Sequence, residues 1–427
     1  MTPLPTTAPA SSPSPQPSWS NPLPPVSHSS PLSPSSIFLP LIPSVGLHLL
    51  TLIGFHIRLC WKLFLQLVHF LNAGTRTWIW VLFRLILFTL ILIPGWYRML
   101  RYYVFTATIL KNISYGKGFK YRNLLDVYLP LTKSGKAPVI VFVSGGAWII
   151  GYKLWSCLVA RAMTFLGYLV IVPDYRNFPQ GSMREMKHDI RNAILWAYDH
   201  CEEYGGDKMK LIVAGQSAGA QICCCLLLED YIMESSSSPI YSKPRRIDEN
   251  IVKVFVGISG PYDLQAQTDH LHSRGLDSSL VRWVCQNEIS KHSPYLIAKN
   301  SHQSLRNFPK VVLLHGSCDS TIPCTESLNM AAMLRHKGLE HVVTRIYPGW
   351  SHTDAILEGP MGGDFRGVRD LHNIIEWFLN DNSGCSEFIE EPLDEKCFRI
   401  EKDDLDDKEN GFVPVFMTRI ARAFNPF

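Results

Sequence analysis

The chain has 427 residues, a formal net charge of +4 and 46% hydrophobic residues, a composition that excludes a wholly disordered protein. Its 11 cysteines are too sparse for a small disulfide scaffold. Charge is uneven, because residues 1–57 contain no Lys, Arg, Asp or Glu and residues 58–122 contain ten basic and no acidic residues. The remainder, beginning with Asp126, therefore carries a net charge of −6. The basic residues lie in an apolar region, which excludes a nucleic-acid-binding stripe, and no nucleic-acid partner is expected.

Residues 1–36 form a low-complexity tail in which eleven residues are Pro and eleven are Ser. Such a composition cannot bury a core, so we predict disorder with polyproline character. A role in partner binding is the alternative to a simple spacer. The absence of a basic segment before the first apolar stretch argues against a secretory signal.

Residues 37–110 are predicted to contain two membrane-anchoring helices, at about 44–71 and 77–97. The first includes Arg58 and Lys62, so it either spans the bilayer or lies in the interface with its basic side chains reaching the headgroups. The second is flanked by Trp and Tyr at both ends, as is typical of membrane interfaces, although Arg84 lies inside it. A membrane hairpin is favoured, and an amphipathic helix packed on the folded domain is the alternative. Membrane lipid is therefore an expected partner.

Basic residues near the second helix bear on the membrane topology. Arg98, Arg101 and Lys111 follow this helix and favour a cytosolic location for the rest of the chain. Arg76, in the connector between the two predicted helices, weakens that inference.

Residues 115–382 are predicted to form one domain, because short β-branched runs alternate with helical stretches. This alternation is typical of an α/β fold with a mostly parallel sheet flanked by helices, in which sites form at the carboxyl ends of the strands. Residues 262–293 are long enough to form a cap. Residues 383–427 are predicted to be an acidic tail that ends in a short helix. The predicted strands are residues 124–129, 139–143, 169–172, 211–214, 252–258, 311–314 and 342–347.

A candidate nucleophile, Ser217, lies between a predicted strand and a predicted helix in the sequence Gly-Gln-Ser-Ala-Gly. Glycines at these positions allow a strained turn that exposes the serine hydroxyl at the sheet edge. An ordinary tight turn is the alternative, but the strand–turn–helix context favours the nucleophile. A serine hydroxyl needs a base and an orienting acid to react.

The acid and the base are predicted to follow the nucleophile in the chain, in that order. Asp319 lies just after the strand 311–314, and His352 lies after the strand 342–347. We expect His352 to accept the proton of Ser217 and Asp319 to orient the imidazole. The alternatives are a surface turn acid and a loop histidine, and His315 is expected to be structural.

An oxyanion hole is predicted from the glycine-rich loop after the strand 139–143 and from the start of the helix after Ser217. The candidate residues are Gly145, Gly146, Ala147, Ala218 and Gln216. The backbone N–H groups of Gly146, Ala147 and Ala218 are expected to face the developing negative charge. The alternative for the glycine pair is an ordinary loop. No metal ligand set and no cofactor are predicted.

These motifs, together with longer strings, resemble the hormone-sensitive-lipase-like branch of the α/β-hydrolases and, more closely, the plant isoprenylcysteine α-carbonyl methylesterases. The resemblance extends from about residue 75 to about residue 380. One departure from the wider branch is Ser144, which stands where its His-Gly-Gly motif has a histidine that often braces the loop. The matching stretches are residues 121–130, 141–153, 174–181, 215–220, 269–276, 314–324 and 351–354.

The resemblance implies a membrane-bound esterase of the endoplasmic reticulum and Golgi apparatus that demethylates the C-terminal prenylcysteine methyl ester of prenylated proteins. Ser217, Asp319 and His352 match the family's nucleophile, acid and base. A generic membrane carboxylesterase or amidase, and a non-catalytic hydrolase-fold receptor, are the alternatives. An acceptor groove or simple core packing is predicted for a set of aromatic residues, namely Trp148, Trp155, Phe178, Tyr262 and Trp283.

Overall fold

The structure is a computed structural model, and it describes residues 54, 57–65, 77–116, 122–131, 135–234, 245–247, 250–273, 279–380 and 411–426. The predicted tail at 1–36 and the acidic stretch from 383 to 410 lie outside these residues, as does most of the first predicted anchor helix. Within that helix, residues 57–65 are helical.

An eight-stranded sheet forms the centre of the described chain, with the strand order β1-β2-β4-β3-β5-β6-β7-β8. The pairs β1–β2 and β2–β4 are antiparallel, whereas the other pairs are parallel. This confirms the predicted α/β-hydrolase fold with a mostly parallel sheet. The strands are β1 (Ile109–Ser114), β2 (Leu124–Tyr128), β3 (Ala137–Val143), β4 (Leu169–Pro173), β5 (Gly206–Gln216), β6 (Val254–Ile258), β7 (Lys310–Gly316) and β8 (Val342–Tyr347).

Helices cover both faces of the sheet, which is why the central strands are apolar on both sides. In β3, Val139 and Val141 face one core while Ile140 and Phe142 face the other. The first core includes helices Met183–His200, Ala218–Glu234, Leu264–Ser273, Leu280–Val284, Pro294–Asn300 and Thr325–His336. The second core includes helices Thr77–Ile91, Ile93–Phe105, Cys157–Phe165, Glu358–Gly362, Arg366–Leu379 and Val415–Phe424. The remaining short helices are Lys153–Ser156, Cys201–Tyr204 and Ile289–His292.

The first strand, β1, was not predicted, and the sheet begins before the expected domain start at residue 115. Its sequence is interrupted by the polar pair Lys111 and Asn112, which hides the alternation of an edge strand. Asn112 adopts a left-handed conformation with φ 61°, and the register with β2 shifts between Leu110 and Ile113. This irregularity is a β-bulge, a common feature of sheet edges.

The single helix predicted over 77–97 is wrong, because the chain bends at Leu92. Two helices, Thr77–Ile91 and Ile93–Phe105, here called the bent pair, are separated by this break. The chain bends by 64° between Ile79–Ile91 and Ile93–Phe105. Pro94, near the start of the second helix, cannot donate a backbone hydrogen bond and disfavours a continuous helix. Among the described helices, none alone is long and apolar enough to cross a bilayer, but the bent pair meets both criteria when its helices are taken together.

The bent pair is joined to the sheet and to the end of the chain. The Tyr103 hydroxyl donates to Asp126 of β2 at 2.6 Å, and Asp126 also pairs with the buried ammonium of Lys153. Helix Val415–Phe424, here called the terminal helix, packs on Thr77–Ile91. The guanidinium of Arg84 donates to the carbonyl of Asn425 at 2.6 Å. The one charge inside the predicted membrane segment therefore caps the terminal helix.

Candidate active site

Ser217 lies in a sharp turn between β5 and the helix Ala218–Glu234. Its φ of 53° is strained for a residue with a side chain, and its N–H donates to the Ile258 carbonyl at 2.8 Å. A Cβ at Gly215 would lie 2.6 Å from the backbone of Gly219, so a side chain has no room there. The two glycines thus permit the turn that presents the Ser217 hydroxyl.

The structure brings Ser217, His352 and Asp319 together at the carboxyl ends of β5, β8 and β7. His352 Nε2 lies 2.9 Å from Ser217 Oγ, and His352 Nδ1 lies 2.7 Å from Asp319 Oδ2. The three side chains are buried, with at most 8% of their surface exposed. This geometry allows proton transfer from the hydroxyl to an imidazole whose other nitrogen is held by a carboxylate.

Asp319 is held by its own loop as well as by His352. Its Oδ1 accepts from the backbone N–H groups of Thr321 at 2.9 Å and Ile322 at 2.8 Å. Burial by itself raises the pKa of Asp319, but the facing imidazole of His352 and the hydrogen bonds from His315 and His352 hold that pKa well below its ordinary value. Asp319 therefore remains ionised across the neutral range. His315 also contacts Ser327 and the Ile322 carbonyl, which fits its expected structural role.

The glycine-rich loop after β3 adopts several left-handed conformations beside Ser217. Gly146 has φ 132°, Ala147 has φ 47° and Trp148 has φ 63°. A Cβ on Gly145 would collide with Gln216 and lie 2.9 Å from Ser217 Cβ, so this backbone passes directly over the serine. In the described part of the chain, no backbone carbonyl accepts from the N–H of Gly146, Ala147 or Ala218. These three N–H groups therefore remain candidates for the oxyanion hole.

Buried side chains that were not predicted from the sequence brace this loop. The Tyr175 hydroxyl donates to the Ser144 carbonyl at 3.0 Å. Asn177 and Arg122 both donate to the Gly151 carbonyl, at 2.9 Å and 2.5 Å. The signal was present, because the matching stretches 121–130 and 174–181 contain these residues.

Gln216 and Trp148 support the site through hydrogen bonds. The Gln216 amide donates to the His352 carbonyl at 3.3 Å, which links the nucleophile turn to the loop that carries the histidine. Trp148 Nε1 donates to Gln221 at 2.9 Å, and Gln221 donates in turn to the His292 carbonyl at 2.7 Å.

The aromatic residues proposed for an acceptor groove occupy different environments. Trp148 and Tyr262 are buried in the core, so core packing describes them better than a groove. Trp155 is half-buried and packs edge-to-face against Trp96 of the bent pair, with ring centroids 6.3 Å apart. Trp283 is 47% exposed in the predicted cap. The cap helix Leu264–Ser273 touches the acid-bearing loop.

That cap contact joins His270 Nε2 and the Ser320 carbonyl, which lie 3.0 Å apart. Ser320 directly follows Asp319 in the sequence. The cap therefore borders the active site.

A cluster of Cys225, Glu229 and His292 has ligand atoms close enough to hold a metal ion. Lys187 already occupies the cluster, because its ammonium pairs with Glu229 and lies 3.0 Å from His292 Nδ1. Burial and the Lys187 charge lower the pKa of His292 to about 4. A cation would have to displace this ammonium, so the cluster is better described as an ion pair between the buried Lys187 and the partly exposed Glu229. Burial raises the pKa of the Cys225 thiol, which suits packing.

The sheet order and the turn at Ser217 define a member of the α/β-hydrolase class. The BD-FAE family model matches residues 125–334, a range that includes Ser217 and Asp319. Esterase B from Lactobacillus rhamnosis shares the fold with a TM-score of 0.55 and 13% identity, covering 70% of this chain and 96% of that one.

Sequence relatives narrow the class further. A probable isoprenylcysteine alpha-carbonyl methylesterase of Oryza sativa subsp. japonica is 34% identical over 86% of this chain and 81% of its own length. An isoprenylcysteine alpha-carbonyl methylesterase of Arabidopsis thaliana is 34% identical over 85% of this chain and 80% of its own length. The chain belongs to the isoprenylcysteine alpha-carbonyl methylesterase family, and it is a carboxylic ester hydrolase.

Proposed function

We propose that the chain hydrolyses the C-terminal methyl ester of prenylcysteine, with Ser217 as nucleophile, His352 as general base and Asp319 as the orienting acid. The observation that carries the proposal is the continuous hydrogen-bonded sequence from Asp319 through His352 to Ser217. The names of the plant relatives supply the substrate class.

In the first half-reaction, Ser217 Oγ attacks the ester carbonyl carbon while His352 Nε2 takes the hydroxyl proton. The carbonyl oxygen becomes an oxyanion that accepts hydrogen bonds from the N–H groups of Gly146, Ala147 and Ala218. When the tetrahedral intermediate collapses, its carbon–oxygen bond to the methoxy group breaks. His352 returns the proton to that oxygen, so methanol leaves and an acyl-enzyme remains.

In the second half-reaction, His352 takes a proton from water and the hydroxide attacks the acyl carbon. Collapse of this intermediate breaks the bond to Ser217 Oγ, which recovers its proton from His352. The product is a free prenylcysteine carboxylate. Asp319, which the neighbouring imidazoles keep ionised, stabilises the positive imidazolium in both steps.

Membrane association suits this substrate, because a prenyl chain gains about 0.8 kcal/mol for each CH₂ group that it buries in lipid. The bent pair exposes apolar side chains that include Trp80 at 61% and Phe83 at 51%, and the terminal helix exposes Phe416 at 61%. We propose that these side chains hold the enzyme at endoplasmic reticulum and Golgi membranes, with the catalytic domain on the cytosolic side. The exposed basic residues Arg58, Lys62 and Arg101 would then face anionic lipid.

One assay separates the three candidate functions. Membranes that bear the full chain are incubated with N-acetyl-farnesylcysteine methyl ester, and methanol release is followed. Release that depends on Ser217 supports the proposed function. Hydrolysis of simple aryl esters alone would indicate a generic carboxylesterase. Ligand binding without turnover, equal in the parent and in Ser217→Ala, would indicate a receptor.

A second experiment tests the location. Membranes from cells that express the full chain are extracted with alkaline carbonate, and intact vesicles are treated with protease. We expect the chain to stay with endoplasmic reticulum and Golgi membranes and its catalytic domain to be digested from the cytosolic side. Release by carbonate would contradict stable membrane insertion, and protection from protease would contradict the proposed topology.

A further inference from the structure

The terminal helix lies against the part of the chain that carries His352. The segment before it is fixed by a hydrogen bond from Val413 N–H to the Met361 carbonyl at 3.0 Å and by Arg98, which donates to the Phe412 carbonyl at 2.8 Å. Its end is fixed by Arg84 of the bent pair at the Asn425 carbonyl. The last described residues are therefore held at both ends.

Asn425, just after the terminal helix, contacts residues on both sides of His352. Its Nδ2 lies 3.0 Å from Ser351 Oγ and 3.1 Å from Thr353 Oγ1, and it also donates to the buried carboxylate of Glu358. Asn425 is 5% exposed, so these bonds are protected from water. Leaving a buried amide without hydrogen-bond partners is costly in free energy. These bonds therefore favour a single position of the loop that carries His352.

Arg422, one turn earlier in the terminal helix, holds the same loop through a charge. Its Nε lies 2.6 Å from Oδ1 of Asp354, a carboxylate with no exposed surface. The other oxygen of Asp354 accepts from the Ser351 N–H at 2.7 Å. The charge pair is thus connected to the residue immediately before His352 in the chain.

We propose that Arg422 and Asn425 are positioning residues that set the imidazole of His352 against Ser217. The inference rests on the proposed role of His352 as the general base. A second hydrogen bond to this loop comes from the nucleophile turn, where Gln216 donates to the His352 carbonyl. The terminal helix and the nucleophile turn therefore both contact the loop that carries His352.

This arrangement also connects the bent pair to the chemistry. Arg84 donates to the Asn425 carbonyl, and Asn425 donates to the residues beside His352. Two hydrogen bonds therefore link the bent pair to Ser351, the residue that precedes His352. Loss of Arg84 should therefore act in the same direction as loss of Asn425, with a smaller effect.

The test uses the purified full chain and a water-soluble aryl ester, p-nitrophenyl butyrate, so that membrane binding of the substrate plays no part. Asn425→Ala and Arg422→Ala are compared with the parent, with Arg422→Lys as the conservative variant. Arg419→Ala is the matched control, because Arg419 is exposed on the same helix. For each protein, kcat, KM, the labelling rate with a small alkyl phosphonate and the unfolding midpoint are measured.

We expect Asn425→Ala and Arg422→Ala to lower kcat by about tenfold or more, because small misplacements of a reacting group are costly. KM should change by less than about twofold, phosphonate labelling should slow by the same factor as kcat, and Arg422→Lys should recover most of the loss. Arg419→Ala should behave like the parent. A parent-like kcat in both alanine variants, or an equal loss in Arg419→Ala, would overturn the proposal.

Two further variants keep the outcome decisive. If Asn425→Ala does not fold, Thr353→Val removes one of its partners from the loop side, and an unchanged kcat in that variant overturns the proposal. Ser217→Ala separates the two levels of inference. If Ser217→Ala retains turnover, the proposed function fails. If Ser217→Ala is inactive while Asn425→Ala and Arg422→Ala match the parent, only the positioning role fails.

Discussion

Polar groups are held in contrasting ways at the carboxyl ends of the strands and at the contact between the bent pair and the terminal helix. At the sheet edge, Ser217, Asp319 and His352 each follow a strand, so backbone pairing fixes their positions. Between the bent pair and the terminal helix, Arg84 and Asn425 meet across 341 residues of sequence, through a hydrogen bond from a side chain to a backbone carbonyl. The first region brings together the candidate reacting groups, and side chains of the second contact the residues on either side of one of them, His352. Substitution of a candidate reacting group should therefore lower kcat much more than substitution of a residue that contacts its loop.

Removal of the nucleophile gives the largest expected effect. Ser217→Ala should lower kcat by about 10⁶-fold, because the alanine has no hydroxyl to form the acyl-enzyme. The parent and the variant are compared by methanol release from the prenylcysteine methyl ester. Ser304→Ala, at an exposed serine, serves as the control. A loss below about tenfold would show that Ser217 is not the nucleophile.

Removal of the orienting charge should come next. Asp319→Asn should lower kcat by about 10⁴-fold, because the amide no longer favours the correct imidazole tautomer or stabilises the imidazolium. Steady-state kinetics and a thermal unfolding curve on the same preparation check this prediction. Parent-like kinetics in a folded variant would contradict the assigned role of Asp319.

A crowded oxyanion loop should cost less. Gly146→Ala should lower kcat by about 10²- to 10³-fold, the cost of losing one oxyanion donor. The new Cβ would lie 2.5 Å from the Gly151 nitrogen, so the loop must move. Gly135→Ala is a matched control, because Gly135 also has a positive φ of 77° but no atom within 4 Å of the added Cβ. Equal losses in both variants would indicate backbone strain alone.

The exposed apolar side chains of the bent pair should affect membrane binding and leave chemistry in solution unchanged. Phe83→Ser should weaken binding to vesicles of phosphatidylcholine and phosphatidylserine by about tenfold, from the lost burial of one aromatic side chain. Leu328→Ser, at a residue 45% exposed on a helix of the other sheet face, is the control. Vesicle sedimentation measures both. Equal binding by both variants would show that the bent pair does not contribute to membrane binding.

The smallest expected effect concerns the buried carboxyl beneath the His352 loop. Burial, and then the neighbouring Asp354, raise the pKa of Glu358 to about 7 in the folded state. The favourable contribution of Glu358 to the free energy of unfolding is therefore complete below its unfolded pKa of about 4.3. This contribution is lost as the pH rises through about 7.

Glu358→Gln should remove this loss of stability with rising pH, because the amide does not ionise. The unfolding midpoint of the variant, relative to that of the parent, should therefore increase between pH 5 and pH 8. Glu340→Gln, at an exposed position, should show no such trend. A difference that stays constant with pH would contradict the raised pKa.

The candidate reacting groups, which the structure brings within hydrogen-bonding distance, could be selected from the sequence because each follows a local pattern. Ser217 lies in a glycine-flanked turn, and Asp319 and His352 follow β-branched strands. The roles of Tyr175 and Asn177 in bracing the loop were not predictable, because the sequence does not show which carbonyl a buried side chain will reach. Their position in a stretch that matches the family was the only signal.

The contacts of the bent pair could not be predicted from the sequence for a different reason. Arg84 resembled an irregularity in a membrane segment, because its partner lies at the other end of the chain. Just after the bend at Leu92, Gly95 packs closely against Met361, which is remote in sequence. Long-range contacts of this kind leave no periodic pattern that a sequence can reveal.

The most direct test of the central claim is to label the full chain with a small alkyl phosphonate and to locate the adduct by mass spectrometry. A single adduct on Ser217, formed at least about 10³-fold more slowly in His352→Ala, is the expected result. An adduct on another serine, or labelling of Ser217 at the parent rate without His352, would contradict the claim that these two residues perform the chemistry.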